Sequence, residues 1–325
     1  MSLIALTDER ALVAAAQSGD ERAFRALVEP YRGVLEVHCY RMLGSRHDAE
    51  DVVQETLLRA WRALDRFERR ASVSTWLYRI ATNACLDEIE RRPRRAAVVA
   101  VDPFPDDRLA EAALVAPVAD PAARYALREG MELALLTAIQ RLPGRQRAVL
   151  ILRDVLGWTG AETADLLSTT VAAVNGALQR ARATVEDAVP ARSVAATRPR
   201  SAQRELLDRY VDAWERQDVD ALVALLRHDA VLDMPPQPAL IGAAAIRAFW
   251  LAPPCGLPSR RTALPARANG LPAVAFFDAD GAPHRLLVLE EPDAAGRLGL
   301  LRAFDEPELA AFVDKSVNAP TNDRP

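Results

Sequence analysis

The chain has 325 residues, half of them hydrophobic, with 41 basic and 45 acidic side chains and a formal net charge of −4. That length holds two or three domains with packed cores, and the charge balance excludes a bulk polycation coating nucleic acid while permitting local basic patches. With no run of about 18 apolar residues, and acids where a leader would be basic, neither a membrane span nor a signal peptide is expected; the chain reads as cytoplasmic. Cys39, Cys85 and Cys255 stand far apart without a CxxC pair and the four histidines do not cluster with them, so neither a metal nor a cofactor is expected.

Residues 1–96 read as a nearly continuous helical block. Within it, "DAEDVVQETLLRAWRALDRF" opens with Asp48, Glu50 and Asp51 and closes with Arg59, Arg62 and Arg66, the order the helix macrodipole favours. Val53, Leu57, Trp61 and Leu64 supply an inward stripe and leave Glu50, Asp51, Gln54 and Glu55 outward. By itself this is a solvated face with a Glu55–Arg59 pair. The next stretch, "FERRASVSTWLYRIATNACLDEIERRPRR", interleaves Phe67, Trp76 and Tyr78 with Arg69, Arg70 and Arg79, then adds Arg91 and Arg92. Aromatic faces that stack on bases beside arginines that hold phosphates suit single-stranded nucleic acid, although Trp76 and Leu77 equally suit a core.

Residues 97–128 hold four prolines and no sustained period, the signature of a linker. Helical pattern resumes over 129–188. Pro143 opens a helix whose apolar residues Val149, Leu150, Leu152, Val155 and Leu156 end at Gly157. Thr159 and Glu162 make a capping box for a short helix to Leu167, and Ser168, Thr169 and Thr170 turn into a longer one. On that helix Val171, Val174, Leu178, Ala181 and Val185 form an apolar stripe, with Asn175, Gln179 and Arg182 in a second row and Arg180 beside it. Short helix, tight turn and longer helix match a helix-turn-helix, whose second helix enters the major groove; an ordinary helical hairpin has the same outline.

Residues 189–203 form a second linker, and from Arg204 the character changes. An amphipathic helix, "RELLDRYVDAWERQDVDALVALL", leads into "AVLDM", "LPAVAFFDADG" and "HRLLVLEE", which read as strands, with "DADGAP" as a hairpin turn. The expected fold class is multidomain: all-α through the first 190 residues, then α+β over 204–316, with a tail at 317–325.

The order and spacing of "DAEDVVQETLLRAWRALDRF" and "STWLYRIATNACLD" resemble region 2, the promoter-melting domain, of extracytoplasmic-function sigma factors of the sigma-70 family. The helix-turn-helix segment resembles region 4 of the same family. "HDAVLDMPPQPALIGAAAIRAFW", "PARANGLPAVAFF" and "HRLLVLEE" resemble a SnoaL-like domain, the curved sheet with helices of ketosteroid-isomerase-type proteins. Together they are similar to the sigma subgroup with a fused SnoaL-like C-terminal domain. The resemblance implies transcription initiation, with core RNA polymerase and promoter DNA as partners and no catalytic residue.

The resemblance also implies residue roles. Asp48, Glu50, Asp51, Gln54 and Glu55 would dock on polymerase. Phe67, Arg69, Arg70, Ser74, Trp76, Tyr78, Arg79, Asn83, Arg91 and Arg92 would take the minus-ten element, with Asn83 and the loop Glu68 to Ser74 reading an extruded base. Thr170, Ala173, Asn175, Gly176, Gln179, Arg180 and Arg182 would take the minus-thirty-five element. Arg69 stands where many relatives carry glycine, and Gly176 where serine is commoner. In the last domain, relatives enclose a pocket in which some use Asp with His or Tyr as general acid and base. Asp233 and His284 are the matching candidates, with Trp250 and Phe276 as walls; their ordinary roles are a turn cap before Pro235 and a strand start.

The expectation is a regulatory module that contacts the sigma regions or binds a small-molecule ligand, and an anti-sigma factor is the other candidate partner. Two further readings compete: a polymerase-independent, ligand-responsive helix-turn-helix regulator, and a SnoaL-type enzyme. The first has no use for the acidic docking helix, and the second lacks an acid–base set.

Overall fold

The computed structural model describes residues 3–69, 71–91, 101–109, 133–188, 200–252, 261–290, 292–293, 295–306, 308, 310 and 312–313. It divides into two compact units, the first spanning 1–102 and 108–190, the second 103–107 and 191–325.

The first unit begins with α1 (Leu3–Gln17), α2 (Glu21–Val28), α3 (Arg32–Leu43), α4 (Arg46–Ala63) and α5 (Val73–Arg91). The near-continuous helix expected over 1–96 is therefore cut, and each cut has local chemistry. Asp20 caps α2 by accepting from the Arg22 and Ala23 N–H groups. Gly44 ends α3 in the left-handed conformation, its N–H bound to the Tyr40 carbonyl, and Ser45 caps α4. Leu35, Tyr40, Val53, Leu77 and Ala81 fill the core between α3, α4 and α5. His38 lies among them with Nε2 on Thr82 Oγ1 at 2.9 Å, and burial drives its pKa down to about 3, so it is neutral at physiological pH.

The unit continues with α6 (Leu133–Gln140), α7 (Gly144–Leu150, extended by a π-turn over Ile151–Val155), α8 (Gly160–Leu166) and α9 (Val171–Ala188). The Thr159–Glu162 capping box forms as expected, and Thr170 Oγ1 accepts from the Ala173 N–H to start α9.

In the second unit α10 (Arg200–Glu215), α11 (Val219–Ala224) and α12 (Ala243–Leu251) accompany a six-stranded sheet. Its strands are β1 (Leu226–Asp233), β2 (Leu240–Ile241), β3 (Thr262–Ala268), β4 (Leu271–Phe277), β5 (Pro283–Glu290) and β6 (Leu298–Phe304), in the order β2-β1-β6-β5-β4-β3. Only β1 and β6 pair in parallel; the other neighbours are antiparallel. "AVLDM", "LPAVAFF" and "HRLLVLEE" fall in or at the end of strands, and the "DADGAP" turn closes β4 onto β5 through the Asp278 N–H and the Ala282 carbonyl. β3 escaped the sequence reading because Pro265 interrupts it; as the sheet's edge strand it tolerates the missing donor. β6 escaped because "LGLLRAF" does not alternate.

Five residues from the expected linker 97–128 belong to this second unit. The Phe104 N–H donates to Asn269 Oδ1 at 2.8 Å, and the Asn269 N–H returns a bond to the Phe104 carbonyl at 3.0 Å. Asp106 accepts from the Gly270 N–H at 2.7 Å and from Arg267 Nε at 3.0 Å. Phe104 itself is buried. The stretches 97–100 and 110–128 lie outside the described residues. The expected boundary at 203 moves back, since α10 starts at Arg200.

Between α4 and α5, Arg69 has φ +58° and its Nη2 donates to the Arg10 carbonyl at 3.2 Å. A non-glycine residue in this left-handed region carries a cost of roughly 1 kcal/mol. Arg69→Gly is therefore expected to raise the stability of the first unit by up to about 1 kcal/mol, read as a higher melting temperature. A lower one would mean that the bond to Arg10 outweighs the strain.

Candidate nucleic-acid interface

α4 turns Asp51, Gln54 and Glu55 outward with Leu58, which is 52% exposed, at the spacing of one helical face. Asp48 lies in the first turn, where its N–H donates to Ser45 Oγ, and Glu50 lies 3.8 Å from the Arg108 guanidinium. Glu55 holds Arg59 at 2.8 Å and Arg59 reaches Asp87 of α5 at 2.7 Å, which ties the two helices together. An open groove of about 790 Å³ follows, lined by Asp51, Glu55, Asp87, Glu88 and Glu90 among others. Sequence reading missed Leu58 and the α5 acids. Leu58 had a signal, an apolar residue out of phase with the inward stripe; the acids join the surface only because α5 packs beside α4.

The minus-ten candidates separate into three sets. Phe67 lies beneath Trp76, ring centroids 4.7 Å apart, and the two border a cleft of about 170 Å³ with Arg66, Glu68, Arg69 and Arg79. Asn83 is exposed further along the same face of α5 as Trp76 and Arg79. Tyr78 and Ser74 are a correction. Tyr78 is 2% exposed, between His38 at 5.1 Å and Trp158 at 5.7 Å, and Ser74 is also buried, so neither meets a base in this arrangement. The reason is helical phase: two residues from Trp76 in either direction is the opposite side of α5. Arg91 is exposed but paired with Glu88 at 2.9 Å, while Arg70 and Arg92 lie outside the described residues. Arg79 is not free, because its Nη2 pairs with Asp165 of α8.

On α9, Ala173, Asn175, Gln179 and Arg180 are exposed while Val174, Leu178 and Ala181 are buried, as the two-sided pattern requires. One stripe residue and one candidate are corrected. Val171 is 45% exposed, so the buried stripe starts at Val174. Arg182 does not extend toward a groove: it makes two bonds to Asp154, at 2.8 and 2.6 Å, and clamps α9 to the end of α7. The Thr170 hydroxyl is used in capping α9. Gly176 has open space, since a Cβ there would meet only the Arg180 Nη1 at 3.5 Å. A serine would fit; nothing in the packing requires glycine.

The second unit holds a cavity of about 110 Å³ lined by Trp250, Phe276 and His284, as expected, and by Tyr210, Trp214 and Arg285, which sequence reading missed. Asp233 is not part of it. Leu232 and Met234 line the cavity, and strand alternation turns Asp233 to the other face, with Oδ2 3.8 Å from Arg302 Nε. His284 Nδ1 lies 3.7 Å from Asp278 Oδ1, and burial, helped by Arg261, pushes its pKa down. The expected pairing of Asp233 with His284 is absent.

Comparison with known proteins matches this division. The family model for sigma-70 region 2 matches residues 27–95, that for sigma-70 region 4 residues 132–185, and that for a SnoaL-like domain residues 207–297. The chain is 41% identical over 307 residues to the ECF RNA polymerase sigma factor SigG of Mycobacterium tuberculosis, spanning 89% of this chain and 83% of that one. It is 32% identical over 172 residues to the ECF RNA polymerase sigma factor SigW of Bacillus subtilis, spanning 51% of this chain and 88% of the relative. The crystal structure of Mycobacterium tuberculosis extracytoplasmic function sigma factor SigJ shares the fold, with a TM-score of 0.57 at 22% identity over 88% of this chain and 98% of that one. Helical regions 2 and 4, followed by an α+β domain and matched along nearly their whole length, place the chain in the extracytoplasmic-function sigma factors of the sigma-70 family, in the form with a SnoaL-like C-terminal domain.

Proposed function

We propose that this sigma factor docks on core RNA polymerase through the outward face of α4, captures a minus-ten base beside Trp76 and Asn83, reads the minus-thirty-five element with α9, and is restrained by its C-terminal domain. The observation that carries the reading is the cleft at Phe67 and Trp76, close to a base in size and on the same α5 face as Asn83. Extruding a base costs a few kcal/mol and stacking returns about 1–3, so opening the duplex needs the polymerase contacts that α4 supplies. The work is binding rather than catalysis. It takes place with RNA polymerase in the cytoplasm; no described helix is long and apolar enough to cross a membrane.

The two DNA-reading helices must separate to act. The elements are named for positions about 25 base pairs apart, roughly 85 Å of duplex at 3.4 Å per step. In the first unit Arg79 is paired with Asp165, and Trp158 packs on Tyr78. The grip of the second unit on residues 103–107, within the connection between regions 2 and 4, gives the C-terminal domain a mechanical handle on that opening.

Three outcomes test this. Reversing charge in the double variant Asp51→Arg, Glu55→Arg should weaken co-purification with core polymerase about tenfold or more; retained binding would leave the polymerase-independent regulator as the better reading. Arg180→Ala should weaken binding of holoenzyme to duplex promoter and lower its salt slope by about one unit, and an unchanged slope removes Arg180 from the phosphate contacts. Phe104→Ala should loosen the held segment and raise run-off transcription at equal polymerase. Equal transcript from both chains would sink the restraint.

A further inference from the structure

The N-terminal end of α9 is apolar and uncharged. Its first two turns, "VAAVNGAL", contain no ionisable side chain. Of the arginines further along, Arg182 is committed to Asp154, and Arg180 lies back over Gly176, its Nη1 3.5 Å from where a Cβ would stand. The commonest specific contact with a base, an arginine or lysine bidentate to guanine, therefore has no source in these two turns. The first turn offers carbon instead. Val171, Ala172 and Ala173 are consecutive and all exposed, Val171 by 45%.

A run of three exposed apolar residues is a fault in a folded surface unless it has a use, and valine is one of the poorer helix formers. Val171 is also fixed on one side. Its Cγ1 lies beside Gly160 at the start of α8, where a Cβ would come within 3.3 Å of it. A β-branched side chain is stiff at χ1, so this contact holds the other methyl in place as well. Asn175 stands one turn further on, exposed, on the same side of the helix. In a helix-turn-helix the N-terminal residues of the second helix meet base edges in the major groove. There every base presents hydrogen-bonding atoms, and thymine alone adds an apolar group, its 5-methyl.

We propose that Val171 is a specificity-determining residue for the minus-thirty-five element, selecting a thymine by apolar contact with the 5-methyl group. The inference rests on α9 as the reader proposed above. Adenine, guanine or cytosine would set a purely polar edge against a side chain that returns no hydrogen bond. Sequence reading placed Val171 in the buried stripe; its exposure is what makes it available.

The test uses holoenzyme and a duplex promoter selected from a library randomised over the minus-thirty-five element. Replacing its thymines one at a time by uracil removes only the methyl. At one position this should weaken binding of the parent about fourfold, the worth of one buried methyl. Val171→Ala should bind the thymine duplex about fourfold more weakly than the parent and bind thymine and uracil there equally, while Val171→Ile restores the difference. The alanine variant folds, since it replaces an exposed residue by a better helix former. Arg180→Ala should weaken both duplexes alike and keep the uracil penalty. A selected element in which no uracil weakens the parent, or a penalty that Val171→Ala retains in full, overturns the methyl contact and leaves α9 as the reader. A library from which no minus-thirty-five sequence is enriched overturns reading by α9, and this inference with it.

Discussion

One buried guanidinium joins the two halves of the first unit. Arg147 of α7 donates to the Met42 carbonyl at the end of α3, to the carbonyls of Gln140 and Leu142 at the end of α6, and to Gln140 Oε1. Gln140 in turn donates to the Arg41 carbonyl at 3.0 Å. The last turn of a helix leaves carbonyls without partners and carries the negative end of its dipole, so a cation placed there answers both needs. Gly44 belongs to the same joint. A Cβ on it would come 2.9 Å from Gln140 Cδ, and its φ of +76° already favours glycine. The contacts of Trp158 with Tyr78 and of Asp165 with Arg79 occur in the unit this joint holds together.

The joint explains why the surfaces proposed to read DNA are partly occupied. α5 serves three neighbours at once: the region 2 core through Leu77 and Ala81, region 4 through Tyr78 and Arg79, and solvent through Asn83. Arg182 shows the same economy on α9, where its pairing with Asp154 fixes the helix that presents Asn175 and Gln179. An arginine on a polar row thus belongs to the scaffold in one case and to a masked surface in the other. A bidentate pair at 2.6 and 2.8 Å and a cross-region pair are different devices, although both are Arg–Asp.

The second unit has its own organising turn. Asn269 sits at φ +52° between β3 and β4, buried, with its side-chain oxygen and backbone N–H both on Phe104. Beside it Gly270 and Arg267 hold Asp106. The hairpin that ends the sheet therefore doubles as a peptide-binding edge. The cavity lies among α10, α12 and the sheet, where Trp214 and Trp250 arrive from helices and Phe276 and Arg285 from strands.

The sequence by itself determined several local elements and pointed to the family. The capping box at Thr159, the acidic start of α4, the buried Val174, Leu178 and Ala181, and the hairpin at Asp278 to Ala282 follow from short-range chemistry. The domain order followed from motif spacing matched to a family. Only the tertiary structure decided which candidates remain available. Tyr78 looked like a stacking ring until α5 was set against Trp158, Arg182 like a reader until α7 supplied Asp154, and Asp233 like a pocket acid until β1 showed its alternation. Tyr210, Asp106 and Asp87 acquired meaning through partners or surfaces distant in sequence. The reason is physical: periodicity tells which side of an element is apolar, but not what stands opposite its polar side. For long arginine and tyrosine side chains, that neighbour decides between anchor and reader.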